Sequence, residues 1–285
     1  MSDLAQGGAG RCLCGTVHYD FDAAPLWQAH CHCESCRRAT SAPYTSYFGV
    51  QDGHWRWTGA EPARFASSQD VERFFCGHCG SPMAYRGADW PGEMHFFAAS
   101  LDDPSAYHPT AHVHFNEHLA WDQPGDGLER FRVPRRMTGA DNFGPAIAVL
   151  RAAFASMDGV IDPPSSLTRQ TDADLRAEGL RNEFWVMEDL GRPIATMMLT
   201  PGAGHLYLGK LATDASFRRQ GLARQLVRHA LARARALGLS EVRLQVRVEL
   251  ADNHAAYLAL GFTEVERTAH AGYDRPTSVT YSRGV

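Results

Sequence analysis

The 285-residue chain has almost no lysine, no cysteine over most of its length and no long apolar stretch. Lys210 is the one lysine among 28 basic residues, and residues 80–285 contain no cysteine. No run approaches the roughly 18 apolar residues that a membrane helix needs, so we expect no membrane partner. A net charge of −4 gives no general attraction to nucleic acid, and we expect no nucleic-acid partner.

The N-terminal residues do not show the pattern of a secretion signal, in which a charged segment precedes an apolar one. Met1 to Gly10 are small and polar. We therefore expect a cytoplasmic protein, which agrees with reduced thiols. The length is comfortable for two domains and long for a single core. Nothing in the composition predicts an oligomeric state.

The cysteines that are present lie in three tight groups within residues 12–79. An odd number cannot pair fully in internal disulfides, and clustered thiols in a chain without a secretion signal indicate metal ligands. The groups are Cys12 and Cys14; Cys31, Cys33 and Cys36; and Cys76 and Cys79. The two pairs suit one tetrahedral structural zinc, and the trio suits a second zinc with an open position. We expect two zinc ions per chain.

Two other interpretations of the thiols stay open. One site could take any four of them and leave the others free. Alternatively, His30 or His32 could close the trio into a second structural site. For the first pair we expect Cys12 and Cys14 to lie on a strand, where residues two apart face the same way.

The first 130 or so residues alternate or run apolar over strand-length segments, as at 17–21, 44–50 and 94–99. No long helix is predicted there. A polar segment with proline and glycine follows near residues 133–142. We predict a first domain over 1–133, a linker over 134–142 and a second domain over 143–285.

The second half has helical periodicity from Ile147 to Met157, with Pro145 near the expected helix start. Three strand-like segments come next, and then the most regular apolar stripe of the chain, from Leu222 to Leu237, which Gly238 ends. The alternating segment 242–246 follows. Strand, long helix and strand in this order predict a parallel crossover.

Residues 11 to about 122 resemble the GFA family, named for glutathione-dependent formaldehyde-activating enzyme, which includes centromere protein V. The resemblance rests on Arg11-Cys-x-Cys-Gly15, Cys31-His-Cys-x-x-Cys-Arg-Arg38, Phe75-Cys-x-x-Cys-Gly-Ser81, Leu101-Asp102-Asp103, Pro109, His112 and Trp121. It implies a mainly-β zinc-binding β-tent. Cys12, Cys14, Cys76 and Cys79 would hold the structural zinc, and Cys31, Cys33 and Cys36 the second one.

The same resemblance implies a carbon–sulfur lyase. In the reverse direction, such an enzyme joins glutathione, or another thiol, to formaldehyde. A zinc-bound thiol is deprotonated and stays nucleophilic, so this chemistry is consistent with the residues. Arg37 and Arg38 are candidates to hold the glutathione carboxylates.

Between the strand ending at Thr213 and the long helix lies Arg218-Arg-Gln-Gly-Leu-Ala223. Helix N-termini present free amides and a positive dipole end to phosphate, and a glycine lets a ligand approach the backbone. With Leu211-Ala-Thr-Asp before it and Ala256-Tyr257 and Leu260-Gly-Phe262 after it, this segment resembles the acetyl-CoA motif of GNAT acetyltransferases. The resemblance implies an α+β acyl-CoA N-acyltransferase fold.

By this resemblance acetyl-CoA is the acyl donor and an amine is the acceptor. Tyr257 would be the general acid, Leu211, Ala212 and Thr213 would line the pantetheine arm, and Asn253 would bind the cofactor. The pyrophosphate amides would come from Arg219, Gln220, Gly221, Leu222, Ala223 and Arg224. Asn253 is closer to Tyr257 than in many members, and the preceding strand lacks a glutamate base, which leaves His205 and Tyr207 as candidates. The alternative role for Tyr257 is packing.

Three functions are compatible with these features. The first is a bifunctional protein whose N-terminal domain carries out thiol–aldehyde chemistry and whose C-terminal domain transfers an acetyl group. The second keeps the acetyltransferase and makes the zinc domain a scaffold or sensor. In the third, neither domain is active and both bind ligands.

Overall fold

The computed structural model describes residues 4–285, and the chain divides into two compact units. The first unit runs to Phe131, and the second is Arg132–Val285. No helix in the described part is long and apolar enough to cross a membrane.

The first unit is mainly β, as expected. Its strands and helix are β1 Gly8–Arg11, β2 His18–Phe21, β3 Trp27–Cys31, α1 Glu34–Thr40, β4 Thr45–Gln51, β5 Trp55–Trp57, β6 Ala63–Ser68, β7 Val71–Phe75, β8 Pro82–Gly87, β9 Glu93–Phe97, β10 Ala111–Val113 and β11 Glu129–Arg130. One sheet has the order β1-β2-β5, and the other has the order β11-β10-β3-β4-β9-β8-β7-β6. Strand β10 runs parallel to both β3 and β11, whereas the other pairs are antiparallel.

Aromatic side chains from both sheets form the core of the first unit. Tyr19 on β2 stacks on Phe96 of β9 with ring centroids 4.1 Å apart, and Phe48 of β4 lies against the same phenylalanine. All three side chains are fully buried. The contact joins the small sheet to the large one, and the large sheet carries the thiol trio.

The second unit is α+β, again as expected. Its elements are β12 Arg135–Arg136, α2 Gly144–Ala155, α3 Asp172–Arg181, β13 Glu183–Asp189, β14 Arg192–Pro201, β15 His205–Thr213, α4 Leu222–Ala236, β16 Glu241–Arg247, α5 Ala251–Ala259, β17 Thr263–Thr268 and β18 Ser278–Gly284. They form one seven-stranded sheet with the order β12-β13-β14-β15-β16-β18-β17. Strands β15 and β16 are parallel and are joined through α4, which confirms the predicted crossover.

Helix α4 follows its sequence pattern closely. Leu222, Leu226, Ala230 and Ala234 are buried in one cluster with β14, β15 and β16, because residues four apart share a helix face. Gly238 comes after the helix with a φ of 68°, the left-handed conformation that a glycine takes at little cost. Helix α2 likewise has its proline in the first turn.

The segment expected to be a linker, 134–142, is part of the second unit. Arg135 and Arg136 form the edge strand β12, paired with Val186 and Trp185 of β13. The Met137 side chain is buried, and its amide donates to the Phe184 carbonyl at 2.8 Å. The polar sequence was misleading because an edge strand with solvent on one side needs few apolar residues.

Candidate functional site

Four thiols of the first unit converge on one point. The sulfurs of Cys12, Cys14, Cys76 and Cys79 lie within 4.8 Å of one another, with Cys12 Sγ 3.5 Å from Cys14 Sγ and Cys14 Sγ 3.7 Å from Cys76 Sγ. A zinc ion with Zn–S bonds of about 2.3 Å places its sulfurs about 3.8 Å apart. A disulfide would need about 2.0 Å, so these free thiols fit a closed tetrahedral metal site.

Two tight turns present these thiols, and the expectation that Cys12 and Cys14 lie on a strand is wrong. Strand β1 ends at Arg11, and a turn follows in which the Gly15 amide donates to the Cys12 carbonyl at 3.0 Å. The second turn is closed by the Gly80 amide, which donates to the Cys76 carbonyl at 2.8 Å, and Gly80 has a positive φ of 76°. A tight turn brings the two sulfurs of a pair closer to one ion than an extended strand does.

The thiol trio lies where β3 leads into α1. Cys31 is the last residue of β3, Cys33 caps the helix by accepting a hydrogen bond from the Cys36 amide at 3.3 Å, and Cys36 lies in the first turn. The three sulfurs lie within 4.8 Å of one another. The pKa of the Cys36 thiol is lowered, first by hydrogen bonds from Cys31 and Cys33 and then by the charge of Arg73.

The neighbouring histidines do not join the trio, which argues against the closed alternative. No histidine nitrogen or carboxylate oxygen of residues 4–285 falls within this group of ligand atoms. His30 Nδ1 is 2.9 Å from Ser46 Oγ, and His32 Nε2 is 2.8 Å from His112 Nδ1. Three thiols without a fourth protein ligand are a donor set that suits a zinc ion with an open position.

A hydrogen-bonded chain holds the two buried histidines. The Asp126 carboxylate accepts from His112 Nε2 at 2.9 Å, so His112 Nδ1 accepts the proton that His32 Nε2 donates. His32 Nδ1 is then an unprotonated nitrogen, and it is buried with no hydrogen-bond partner among the described residues. Burial, followed by the charge of His112, lowers the pKa of His32 to about 3.

In the second unit, strands β15 and β16 separate part-way along their length. They pair only from His205 to Tyr207 against Glu241 to Arg243. Beyond this point β15 continues to pair with β14, while β16 continues to pair with β18. One edge of β15, from Leu208 to Thr213, is therefore left without a strand partner and faces an opening in the sheet.

Two adjoining cavities occupy this opening. The outer cavity, of about 600 Å³, is lined by the end of α2, by Leu211, Ala212 and Thr213 of β15 and by Asn253 of α5. The inner cavity, of about 280 Å³, is lined by β15, β16 and Tyr257. Leu211 and Asn253 line both cavities, so together they form one cleft. The structure thus brings the predicted Leu211, Ala212, Thr213, Asn253 and Tyr257 together.

The predicted phosphate-binding segment forms the start of α4. Arg219 and Gly221 have φ values of 62° and 77°, and the helix begins at Leu222 without a side-chain cap. The first-turn amides of Leu222, Ala223 and Arg224 therefore have neither a helical acceptor nor a capping side chain. Arg218, directly before this turn, lines the outer cavity.

Tyr257 projects from α5 into the inner cavity and packs edge-on against Phe262, with ring centroids 5.9 Å apart. Burial, and then the nearby Tyr207, raise the pKa of its hydroxyl to about 12. Tyr207 also lines the inner cavity, whereas His205 does not and instead lies 3.2 Å from the Ala203 carbonyl. Of the two candidate bases, only Tyr207 is therefore at the cleft.

Comparisons with known proteins match both units. Residues 8–117 match the family model of glutathione-dependent formaldehyde-activating enzyme, GFA, and residues 150–262 match the acetyltransferase (GNAT) family. The chain is a fusion of a GFA domain with a GNAT domain. Both expected resemblances are confirmed, and so is the two-domain fold class.

The GFA domain also resembles an uncharacterized lyase of Schizosaccharomyces pombe, with 30% identity over 76 residues. The match covers 27% of this chain and 55% of the yeast protein, so it spans about half the length of that relative.

The GNAT domain is similar to several solved structures. An acetyltransferase from Streptococcus agalactiae has 18% identity and a TM-score of 0.43, with 54% of this chain and 98% of that chain covered. A GNAT family acetyltransferase from Elizabethkingia anophelis with acetyl-CoA bound has 14% identity, a TM-score of 0.40 and coverage of 54% and 97%. The ribosomal-protein-S18-alanine N-acetyltransferase from Escherichia coli has 22% identity, a TM-score of 0.39 and coverage of 53% and 92%.

Sequence reasoning missed Arg73 of the GFA domain, which lies beside the thiol trio. Its guanidinium lies 5.2 Å from the Tyr85 ring centroid and donates to Ser35 Oγ at 2.8 Å, and its Nη1 is buried without a partner among the described residues. The Tyr47 hydroxyl is also buried without one, and its ring packs against Cys36. An arginine two residues before a strand end gives no signal of this role in one sequence.

The two arginines expected to hold glutathione carboxylates are engaged elsewhere. Arg37 Nε donates to the His32 carbonyl at 3.0 Å, within the same motif. Arg38 pairs with Glu34 one helical turn away at 2.7 Å, on the exposed side of α1. Consecutive helical residues point about 100° apart, and here the two side chains make separate contacts.

The GNAT domain also has an ionisable side chain that the sequence did not single out. Glu249 lies two residues beyond β16 and lines the outer cavity. Its Oε1 accepts a hydrogen bond from the Asp162 amide at 3.2 Å, and its buried Oε2 lies 4.0 Å from Arg247 Nε. The available signal was its position in the loop that follows a parallel strand, because functional side chains are common at the carboxyl ends of such strands.

Proposed function

We propose that the GNAT domain transfers an acetyl group from acetyl-CoA to an amine. The observation that carries this proposal is the cleft between β15 and β16, onto which Leu211 to Thr213, Asn253 and Tyr257 converge. A strand edge without a partner offers backbone groups to the amides of the pantetheine arm. The uncapped start of α4, from Arg219 to Arg224, offers amides and a positive dipole end to the pyrophosphate.

The reaction follows from these positions. The lone pair of the neutral amine forms a bond to the acetyl carbon, and the carbon–sulfur bond breaks. Tyr257 donates its proton to the departing sulfur, and the proton that the amine loses restores the phenol. A hydroxyl with a pKa of about 12 is fully protonated at neutral pH, so the proton is in place when the sulfur departs.

Acetyl-CoA binding to the full chain, measured by calorimetry, tests this function directly. We expect one site per chain, and addition of an amine acceptor should then consume acetyl-CoA. Absence of binding would overturn the transferase proposal and favour two inactive ligand-binding domains.

For the GFA domain we propose a zinc-dependent carbon–sulfur lyase acting on adducts of glutathione or a similar thiol. The supporting observation is that three thiols converge with no fourth ligand from residues 4–285, whereas the other four thiols form a set of four. A zinc ion bound by the trio would supply an open coordination position and would favour the thiolate form of a substrate thiol. Cys12, Cys14, Cys76 and Cys79 would hold the structural zinc.

Two side chains suit the substrate of the GFA domain. Arg73 carries a charge and an unpartnered buried Nη1 next to Cys36, so it can bind an anionic group of the thiol substrate. Tyr47 presents a buried hydroxyl at the same place. Both would orient the substrate, and neither needs to exchange a proton.

Cobalt substitution separates a catalytic GFA domain from a scaffold. Cobalt bound by three thiols and a solvent molecule should change its visible spectrum when millimolar glutathione is added. An unchanged spectrum would favour the alternative, in which the GNAT domain is the enzyme and the zinc domain is a scaffold or sensor. Glutathione disulfide is the matched control, because it lacks the thiol.

A further inference from the structure

The inner cavity of the GNAT domain has a one-sided charge. Its lining includes Arg169, Lys210, Arg247 and His270, together with Tyr257. No aspartate or glutamate of residues 4–285 lines it. A cleft lined by one sign of charge attracts ligands of the opposite sign and repels those of the same sign.

The four basic side chains differ in how far they are already neutralised. Lys210 Nζ pairs with Glu178 Oε1 at 2.7 Å, so its charge is compensated. The pKa of His270 is lowered by burial and then by Arg247 and Arg169, which favours the neutral imidazole at neutral pH. The cationic character of the cavity therefore comes from Arg169 and Arg247.

Both arginines have hydrogen-bonding capacity left. Arg247 Nη2 donates to the Pro163 carbonyl at 2.6 Å and Nη1 lies 3.2 Å from His270 Nε2, but Nε is buried without a hydrogen-bond partner. Arg169 is exposed and forms no ion pair within residues 4–285. Arg169, Arg247 and His270 all line the inner cavity, and both arginines lower the pKa of His270.

Two carboxylates lie near this wall and are already engaged. Glu249 is 4.0 Å from Arg247 Nε, and its other oxygen accepts from the Asp162 amide. The Asp162 carboxylate accepts from the Tyr273 hydroxyl and from Arg275. One carboxylate at 4.0 Å offsets part of the Arg247 charge and leaves Arg169 uncompensated.

We propose that the amine acceptor of the GNAT domain also carries a carboxylate, which Arg247 and Arg169 bind inside the inner cavity. This inference rests on the acetyl transfer proposed above and names its acceptor class, amino acids and amines of similar form. A guanidinium fork matches a carboxylate geometrically, and such charge-assisted hydrogen bonds are among the strongest in proteins. Inside the inner cavity a polyamine would meet these two arginines and no acidic lining residue of 4–285, because Glu249 and Asp252 line the outer cavity.

The same charges assist the chemistry. An amine attacks only as its neutral form, and nearby positive charge lowers the pKa of an ammonium group. An amine whose carboxylate is held by Arg247 therefore enters the cavity with its nitrogen biased toward the nucleophilic form. The cavity volume of about 280 Å³ suits a small acceptor or one residue of a larger one.

Acceptors with and without a carboxylate test this proposal. The full chain is supplied with acetyl-CoA and with a panel of L-amino acids, the corresponding L-amino acid amides, cadaverine and spermidine. Acetyl-CoA loss is followed by chromatography, because the seven free thiols would react with thiol reagents. We expect kcat/KM for the best amino acid to exceed that of its amide by about tenfold or more, since a polar contact is lost without the carboxylate.

Substitution of each arginine then shows whether its charge is needed to select an acceptor with a carboxylate. Arg169→Gln and Arg247→Gln should raise KM for the amino acid about tenfold and leave KM for its amide and the acetyl-CoA affinity unchanged. Arg267→Gln is the control, because this arginine is exposed and pairs with Glu264 on β17, outside the cavity. Arg169 is exposed, so its replacement leaves the fold intact even if Arg247→Gln does not.

The possible outcomes distinguish failure of the carboxylate proposal from failure of the acetyltransferase proposal. Amides or polyamines that react as well as the amino acids would overturn the carboxylate proposal and leave acetyl transfer standing. Acetyl-CoA binding without acetylation of any amino acid would also overturn it. Failure to bind acetyl-CoA would instead overturn the transferase function, so the two failures are distinguishable.

Discussion

The GFA domain and the GNAT domain build their sites from different parts of the polypeptide. The GFA domain builds its sites from side-chain sulfurs: two turns bring four of them within 4.8 Å of one another, and the end of β3 with the start of α1 does the same for the other three. The GNAT cleft consists largely of backbone, namely one free edge of β15 and the uncapped start of α4. A side-chain site can be destroyed by one substitution, whereas a backbone site is sensitive mainly to changes of main-chain conformation.

The largest effect should come from removing one thiol of the complete set. Cys12→Ser should abolish structural zinc binding and unfold the GFA domain, because structural zinc contributes about 10–16 kcal/mol to folding in small zinc peptides. Zinc content and thermal unfolding of the full chain measure this. Cys36→Ser is the matched control, which should keep one zinc and most of the stability. Equal destabilisation by both variants would contradict the distinction between a structural and an open site.

Truncation should give the next largest effect and tests the domain boundary. A GNAT fragment that starts at Arg132 keeps β12 and the buried Met137, whereas one that starts at Thr138 loses both. Loss of a buried methionine side chain alone costs about 2–5 kcal/mol. We expect the longer fragment to fold and bind acetyl-CoA and the shorter one to melt at a clearly lower temperature. Equal melting temperatures would restore the predicted linker over 134–142.

Tyr257→Phe should lower acetyl transfer at least about tenfold, since general acid catalysis commonly contributes 10²–10⁴ in rate. The substitution keeps the edge-on packing on Phe262, and acetyl-CoA affinity should barely change. Turnover and calorimetry with the same protein preparation measure both quantities. Retention of wild-type turnover would mean that Tyr257 only packs.

Gly221→Asp should weaken acetyl-CoA binding by about tenfold or more. The aspartate would bring a negative charge to the helix start, and its Cβ would strain a backbone with a φ of 77°. Gly238→Asp is the control, because Gly238 has a φ of 68° at the other end of the same helix and open space around it. Similar losses of affinity in both variants would mean that strain, and not phosphate binding, explains the effect.

The smallest effect concerns pH. Folding raises the Tyr257 pKa from its ordinary value near 10 to about 12, so the phenol remains protonated at pH values where a free tyrosine has begun to ionise. Turnover at saturating substrate should therefore show no falling limb from this group up to about pH 10. A limb centred near pH 9 would indicate a different acid.

The difference between the two sites also decides how much a single sequence can predict. The seven cysteines could be assigned to two groups because their residue type is rare and their spacing is short. The cleft residues Leu211 to Thr213 were found through a motif, since nothing in their apolar sequence shows that β15 loses its partner after Tyr207. The separation can be seen only when β15 and β16, which the long helix α4 keeps apart in the sequence, are placed side by side in the sheet.

Long-range placement explains the other failures too. Arg73 reaches Cys36 from a strand far along the chain, and periodicity carries no information about such an encounter. The predicted helix Leu222–Leu237 agrees with the structure to within one residue because its pattern is local. Helix α1, with only seven residues, lies inside the cysteine motif and was not predicted.

The position of β18 affects the order in which the chain can be assembled during synthesis. Residues 278–284 lie between β16 and β17 in the sheet, so the GNAT sheet is incomplete until they emerge from the ribosome. All seven thiols of the GFA domain have been translated by Cys79, and its sheets are complete by Arg130. Since domains fold as units from the N-terminus during translation, the GFA domain can bring its thiols together while the GNAT domain is still unfolded.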